Sequence, residues 1–137
     1  MKKFYALVII GAVLLVAPTV SFSRDPIHVD ILYMNHGPMQ PTLRELRALF
    51  PKYGEQVVVA WYDFESDAGE RFKAKMGVSH HTPLTIWVDG QSELKHADKT
   101  IKIEGFPTGS GPAFFQGKWK VEDLADILDR MTGQGAD

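Results

Sequence analysis

The sequence predicts an α/β fold, a single domain with a central mixed β-sheet flanked by helices. Three observations lead there. Short valine-, isoleucine- and aromatic-rich runs alternate with stretches of helical periodicity, the pattern of a sheet with helices packed on it. The chain has 137 residues, which favours one domain. It has no cysteine, so its core must hold without disulfides or thiolate-bound metal.

The elements follow in order. His28–Met34 reads as a strand, closed by the turn residues Asn35-His36-Gly37-Pro38. Pro41–Tyr53 reads as a helix with Leu43, Leu46, Leu49, Phe50 and Tyr53 on one face. Pro41 suits the first turn and Gly54 the stop. Gln56–Phe64 has the composition of a buried strand. Asp67 and Glu70 have the spacing of a capping box and open a helix to Met76, ended by Gly77. Leu84–Val88 is a strand, and Asp89-Gly90 is a hairpin turn signal. Thr100–Glu104 reads as a further strand, paired through that turn or after a longer excursion over 91–99. A Gly/Pro-rich loop, 105–112, precedes an amphipathic helix marked by Val121, Leu124, Leu128 and Met131. The order is β-α-β-α-β-β-α. Its first two strands, joined through a helix, are expected to be parallel with a right-handed crossover.

The amino terminus has the layout of an export signal. Met1-Lys2-Lys3 precedes an apolar run from Phe4 to Val20, and Ser21 and Ser23 supply small residues before a cut. Residues 1–23 are therefore read as a signal peptide, with an uncleaved anchor as the alternative, and 24–137 as the domain. The apolar run is at the short end of the roughly 17–25 residues that a spanning helix needs. Periplasmic or otherwise extracytoplasmic location follows, with no membrane contact beyond this segment. Without residues 1–23, thirteen basic face seventeen acidic side chains, a net charge of about −4. No basic stripe marks a nucleic-acid partner.

Val29-Asp30 followed by Asn35-His36-Gly37-Pro38-Met39 at a helix start resembles the thioredoxin motif, a buried Val-Asp strand leading into Cys-Gly-Pro-Cys. His36 and Met39 stand where the two cysteines would be, and Asn35 where a tryptophan usually precedes them. Gly77-Val78-Ser79-His80-His81-Thr82-Pro83-Leu84 resembles the family's cis-proline segment, with one extra residue. The resemblance covers residues 28–90 well and 119–131 loosely; 91–118 departs from it. It implies a thioredoxin-like fold, a cis bond at Thr82-Pro83, and the cis-proline loop lying against the motif. It does not carry the family's activity. Dithiol exchange needs a thiolate attacking a disulfide, and neither imidazole nor thioether does that.

Two functions fit the altered site. The first is a non-catalytic module binding an exported protein or peptide. In the family the cis-proline loop presents main-chain groups to an extended chain, a form of strand addition that needs no thiol. Thr82 and Pro83 would form that edge. Phe106 and Phe114, with Phe115 and Trp119, surround the adjoining loop as contacts, although at least two of the four are expected in the core. The second is copper binding. His36 and Met39, three apart, can share a helix face. Under the implied fold His80 or His81 joins them, and Met34 and Met76 are further sulfur donors. Thioether with imidazole favours Cu(I), and the positive end of a helix keeps His36 neutral. In a plainer reading His36 and Met39 fill the space that the cysteines left, since methionine adapts to irregular gaps.

Other chemistry fits less well. Ser79 and His80 lack a nucleophile-elbow motif for hydrolysis. The acids at Asp63, Glu65 and Asp67 lack the glycine and glutamate of a calcium loop and read as a strand end entering a helix cap. No enzymatic activity is expected.

Overall fold

The structure, a computed structural model, describes residues 24–135, so the expected signal peptide lies outside the described residues. Strand β1 (Ile27–Tyr33) is the centre of the sheet. It pairs in parallel with β2 (Val57–Asp63), Asp30 opposite Ala60, and antiparallel with β3 (Leu84–Val88), Ile31 opposite Ile86. The strand order β2-β1-β3 makes the sheet mixed, as the sequence predicts.

Both faces of β1 are covered, one along the apolar row Ile27, Val29 and Ile31 and the other at Leu32. Val29 and Ile31 are fully buried in the main core, against Leu43 and Leu46 of α1 (Gln40–Leu49) and Leu124, Ile127 and Leu128 of α3 (Val121–Thr132). Leu32 points the other way. There it packs with Trp87 and with Phe72 of α2 (Asp67–Met76). Tyr62 stacks on Phe72 with ring centroids 4.0 Å apart.

Each departure from the expected elements has a local cause. The first α-helix stops at Leu49, not Tyr53, and a 3-10 stretch, Phe50–Gln56, follows it, broken at Gly54, whose φ of +53° is not helical and which is the stop the sequence predicts. Pro51 has no N–H to give and its ring would meet the carbonyl one α-turn earlier. Helix α2 has the expected span, but its cap is Ser66, one residue before the expected Asp67. The Ser66 Oγ accepts from Gly69 N–H at 2.9 Å. Gly69 must be glycine, because a Cβ there would lie 1.8 Å from the Asp63 carbonyl oxygen.

Asp89 and Gly90 both have positive φ, and Val88 and Gln91 exchange backbone hydrogen bonds of 2.8 and 3.1 Å across them. This is the two-residue turn the sequence predicts. The chain then leaves the sheet as a separate hairpin, β4 (Glu93–His96) and β5 (Lys99–Lys102). It returns beside β3, where Ile86 N–H donates to Ile103 O and Gly105 N–H to Leu84 O. Turn and excursion, posed as alternatives, are both present. The hairpin is tied to α3, whose Arg130 guanidinium donates to the Lys95 carbonyl while Asp123 lies 3.5 Å from His96.

Candidate functional site

Three loops meet at one end of the sheet. The first, Met34–Pro38, leaves β1 and enters a short 3-10 turn, Gly37–Met39, before α1. Gln40 Nε2 donates to Asn35 Oδ1 at 2.8 Å and holds this turn in place. The second, Ser79–Pro83, leads into β3. Met34 N–H donates to Pro83 O at 2.9 Å, so the sheet extends by one bond to bring the two loops together. No peptide bond among the described residues is cis, so the cis geometry implied for Thr82-Pro83 is corrected to trans.

The third loop, 105–119, is closed on itself. Phe106 N–H donates to Phe115 O, and Gly117 N–H to Phe106 O, at 2.9 and 2.7 Å. Two glycines permit this approach. A Cβ at Gly105 would lie 2.4 Å from Phe115 O, and one at Gly117 2.0 Å from Glu104 O. Gly111, with φ +64°, passes so close over the Phe106 ring that a Cβ would sit 2.3 Å from it. Trp119 Nε1–H donates to Gly105 O at 3.2 Å beneath the loop. Gln116, itself exposed, bridges the loop by accepting from Gly109 N–H and donating to Gly111 O.

Two cavities lie between these loops. The larger, about 450 Å³, is an open cleft with His80–Pro83 on one wall and Phe114–Lys118 on the other; β5 and Glu104 close its end. The smaller, about 150 Å³, lies under His36 and is lined by Met34, Met39, His81, Phe106 and Phe115 among others. His81, Pro83 and Phe115 line both, so the two adjoin.

The expected residues separate on this geometry. Phe106 is 4 % exposed and belongs to the core under Gly111, so its expected role as a partner contact is corrected. Trp119 is core too, which places two of the four loop aromatics inside, as expected. Thr82 and Pro83 are buried. The Thr82 hydroxyl turns inward and donates to Leu84 O at 3.1 Å, so Thr82 offers the cleft no hydroxyl. Phe114 is 90 % exposed on the rim, and Phe115 is partly exposed.

The four proposed metal ligands do not all converge. His36, Met39 and His81 line the small cavity. His80 faces the larger cleft, its Nε2 3.4 Å from Glu104 Oε1. Met76 lies on the other face of the sheet, with Leu32 and Phe72. Among the described residues no group of three or more His, Asp or Glu side chains is arranged to hold a metal. No hydrogen bond joins Ser79 to His80 among the described residues. Asp63 ends its strand by accepting from Glu65 N–H, the cap-like role expected for it. Asp30 is half-buried beside Tyr62, whose phenol is pushed upward by burial and then by the Asp30 charge.

The sequence reading passed over Gln116 and Lys118 as parts of the site. The glycines at 105, 111 and 117 were the available signal, since they mark where backbone approaches backbone or ring. Comparison of the chain with family models, with curated proteins and with solved structures gives no match.

Proposed function

We propose that this chain is an exported, thioredoxin-like binding module that holds an extended peptide segment in the cleft between His80–Pro83 and Phe114–Lys118. One observation carries the reading. The main-chain groups of Ser79–Thr82 take part in none of the backbone hydrogen bonds among the described residues, although the segment runs beside an open cleft. Unpaired main-chain groups at a cleft are what strand addition uses. Phe114 supplies a large apolar contact on the opposite rim, where aromatic side chains carry much of the energy of binding.

The thioredoxin-like part rests on the resemblance around Gly37-Pro38 and is supported by strand order β2-β1-β3 and helices on both faces. Export rests on the N-terminal charge and apolar pattern. No helix among the described residues is long and apolar enough to cross a membrane. Thiol–disulfide exchange is outside the chain's chemistry, because it has no thiol.

The test is a binding screen of the protein produced from the full-length sequence against unstructured synthetic peptides of alternating apolar and small polar residues. A bound member should lose about tenfold or more in affinity with Phe114→Ala and keep it with Met131→Ala, an exposed apolar residue on α3. Binding indifferent to Phe114, or no binding by any member, would sink the reading.

A further inference from the structure

We infer that the small cavity is a Cu(I) site formed by the thioethers of Met34 and Met39 and the imidazoles of His36 and His81. This does not depend on peptide binding. It narrows what the sequence alone suggests: of His80 and His81 it takes His81, and of the further sulfur donors it takes Met34 and leaves out Met76.

Four potential donors line one cavity of about 150 Å³. They come from three places in the chain: the end of β1, the turn before α1, and the loop before β3. The methionines are nearly fully buried, Met39 at 1 % and Met34 at 4 % exposure, yet both border this cavity. The remaining wall is apolar, with Phe106 and Phe115 prominent. Two sulfurs and two imidazoles with no carboxylate among the lining residues form a soft set, which suits Cu(I) and not the hard cations magnesium and calcium. Glu65 Oε1 lies 3.7 Å from His36 Nε2. At that distance no hydrogen bond forms, and both side chains are largely exposed, so the His36 ring is free to turn either nitrogen to the cavity. His81 is held edge-on to Phe64, ring centroids 5.6 Å apart.

The experiment is a Cu(I) titration under ascorbate against a chromophoric Cu(I) chelator, using protein produced from the full-length sequence. One equivalent should be withdrawn from the chelator, and the copper-edge X-ray absorption spectrum should show both sulfur and nitrogen neighbours. His36→Ala, His81→Ala and Met34→Leu should each weaken binding about tenfold or more, a loss that even second-layer partners of metal ligands produce. His80→Ala should leave it unchanged, and excess Mg(II) or Ca(II) should not displace the copper. Met34→Leu conserves volume in the core, and its urea transition checks that the variant folds. No copper withdrawn, a spectrum without sulfur, or equal loss from His80→Ala would overturn the inference. Peptide affinity of the copper-free protein is read separately, so failure of either proposal is distinguishable from failure of the other.

Discussion

The loop 105–119 holds four large aromatic side chains with two fates. At its base Phe106 and Trp119 are 4 % and 1 % exposed; at its tip Phe114 and Phe115 are 90 % and 39 % exposed. Residue type does not distinguish them. The base pair sits where glycines let backbone and ring close together, and where an indole N–H finds a carbonyl. The tip pair packs mainly on itself, edge to face at 5.1 Å. The base fixes the loop, and the tip is presented over the cleft. An exposed phenylalanine held on a rigid base is an inexpensive contact for a partner, because little ordering remains to be done on binding.

The largest expected effect belongs to the base. Trp119→Ala empties a fully buried site and should lower stability by about 3–5 kcal/mol, read from urea unfolding. Gly117→Ala should cost about 1–3 kcal/mol, because its Cβ meets backbone that cannot swing away. If Gly117→Ala were neutral, the tight closure of the loop would be wrong.

A smaller effect comes from the far end of the domain, where the polar groups are paired. Tyr53 O–H donates to Asp129 Oδ1 at 2.8 Å, and Lys52 Nζ reaches the same oxygen at 2.8 Å. Tyr53→Phe should cost about 1 kcal/mol. Hydrogen bonds from Lys52 and then Tyr53 hold the Asp129 carboxyl below its ordinary range. Its stabilisation is present above the unfolded-state pKa of about 3.9 and is lost as pH falls through the lower folded value. Asp129→Asn should therefore be less stable than the parent at neutral pH, with the gap closing in strong acid. The Tyr53 phenol is pushed up to about 12, first by burial and then by Asp129. Its share is present below the unfolded-state value of about 10 and is lost as pH rises through the folded one. Urea transitions across pH check both signs.

The smallest effect on stability belongs to the tip. Phe114→Ala removes a side chain with little to lose and should change stability by no more than about 0.5 kcal/mol. The variant thus isolates binding from folding, which no substitution at Phe106 can do.

Much of this fold is written in local sequence. Helix α2 and strand β3 have the expected ends because Gly77 and the Asp89-Gly90 pair can take positive φ where other residues are strained. The error at the first helix was legible too, since Pro51 stands inside the run read as helical. Other features depend on tertiary structure. Nothing local to Phe106 and Phe114 separates a buried ring from an exposed one; the difference comes from Gly111 crossing the first. Likewise His80 and His81 are neighbours in sequence, and only the path of the chain sends one towards Glu104 and the other into the small cavity.

The central claim is that Ser79–Thr82 and the Phe114 rim together hold an extended chain. The rival edge is the outer side of β2, Val57–Asp63, the end strand of the three-stranded sheet, where Val58 is 45 % exposed. The direct measurement is an amide-resolved NMR titration of the labelled protein with the tightest peptide of the screen. Shifts concentrated at His80–Thr82 and Phe114–Lys118, and absent from β2, are the predicted result. Shifts that run along Val57–Asp63 and spare the cleft would contradict it.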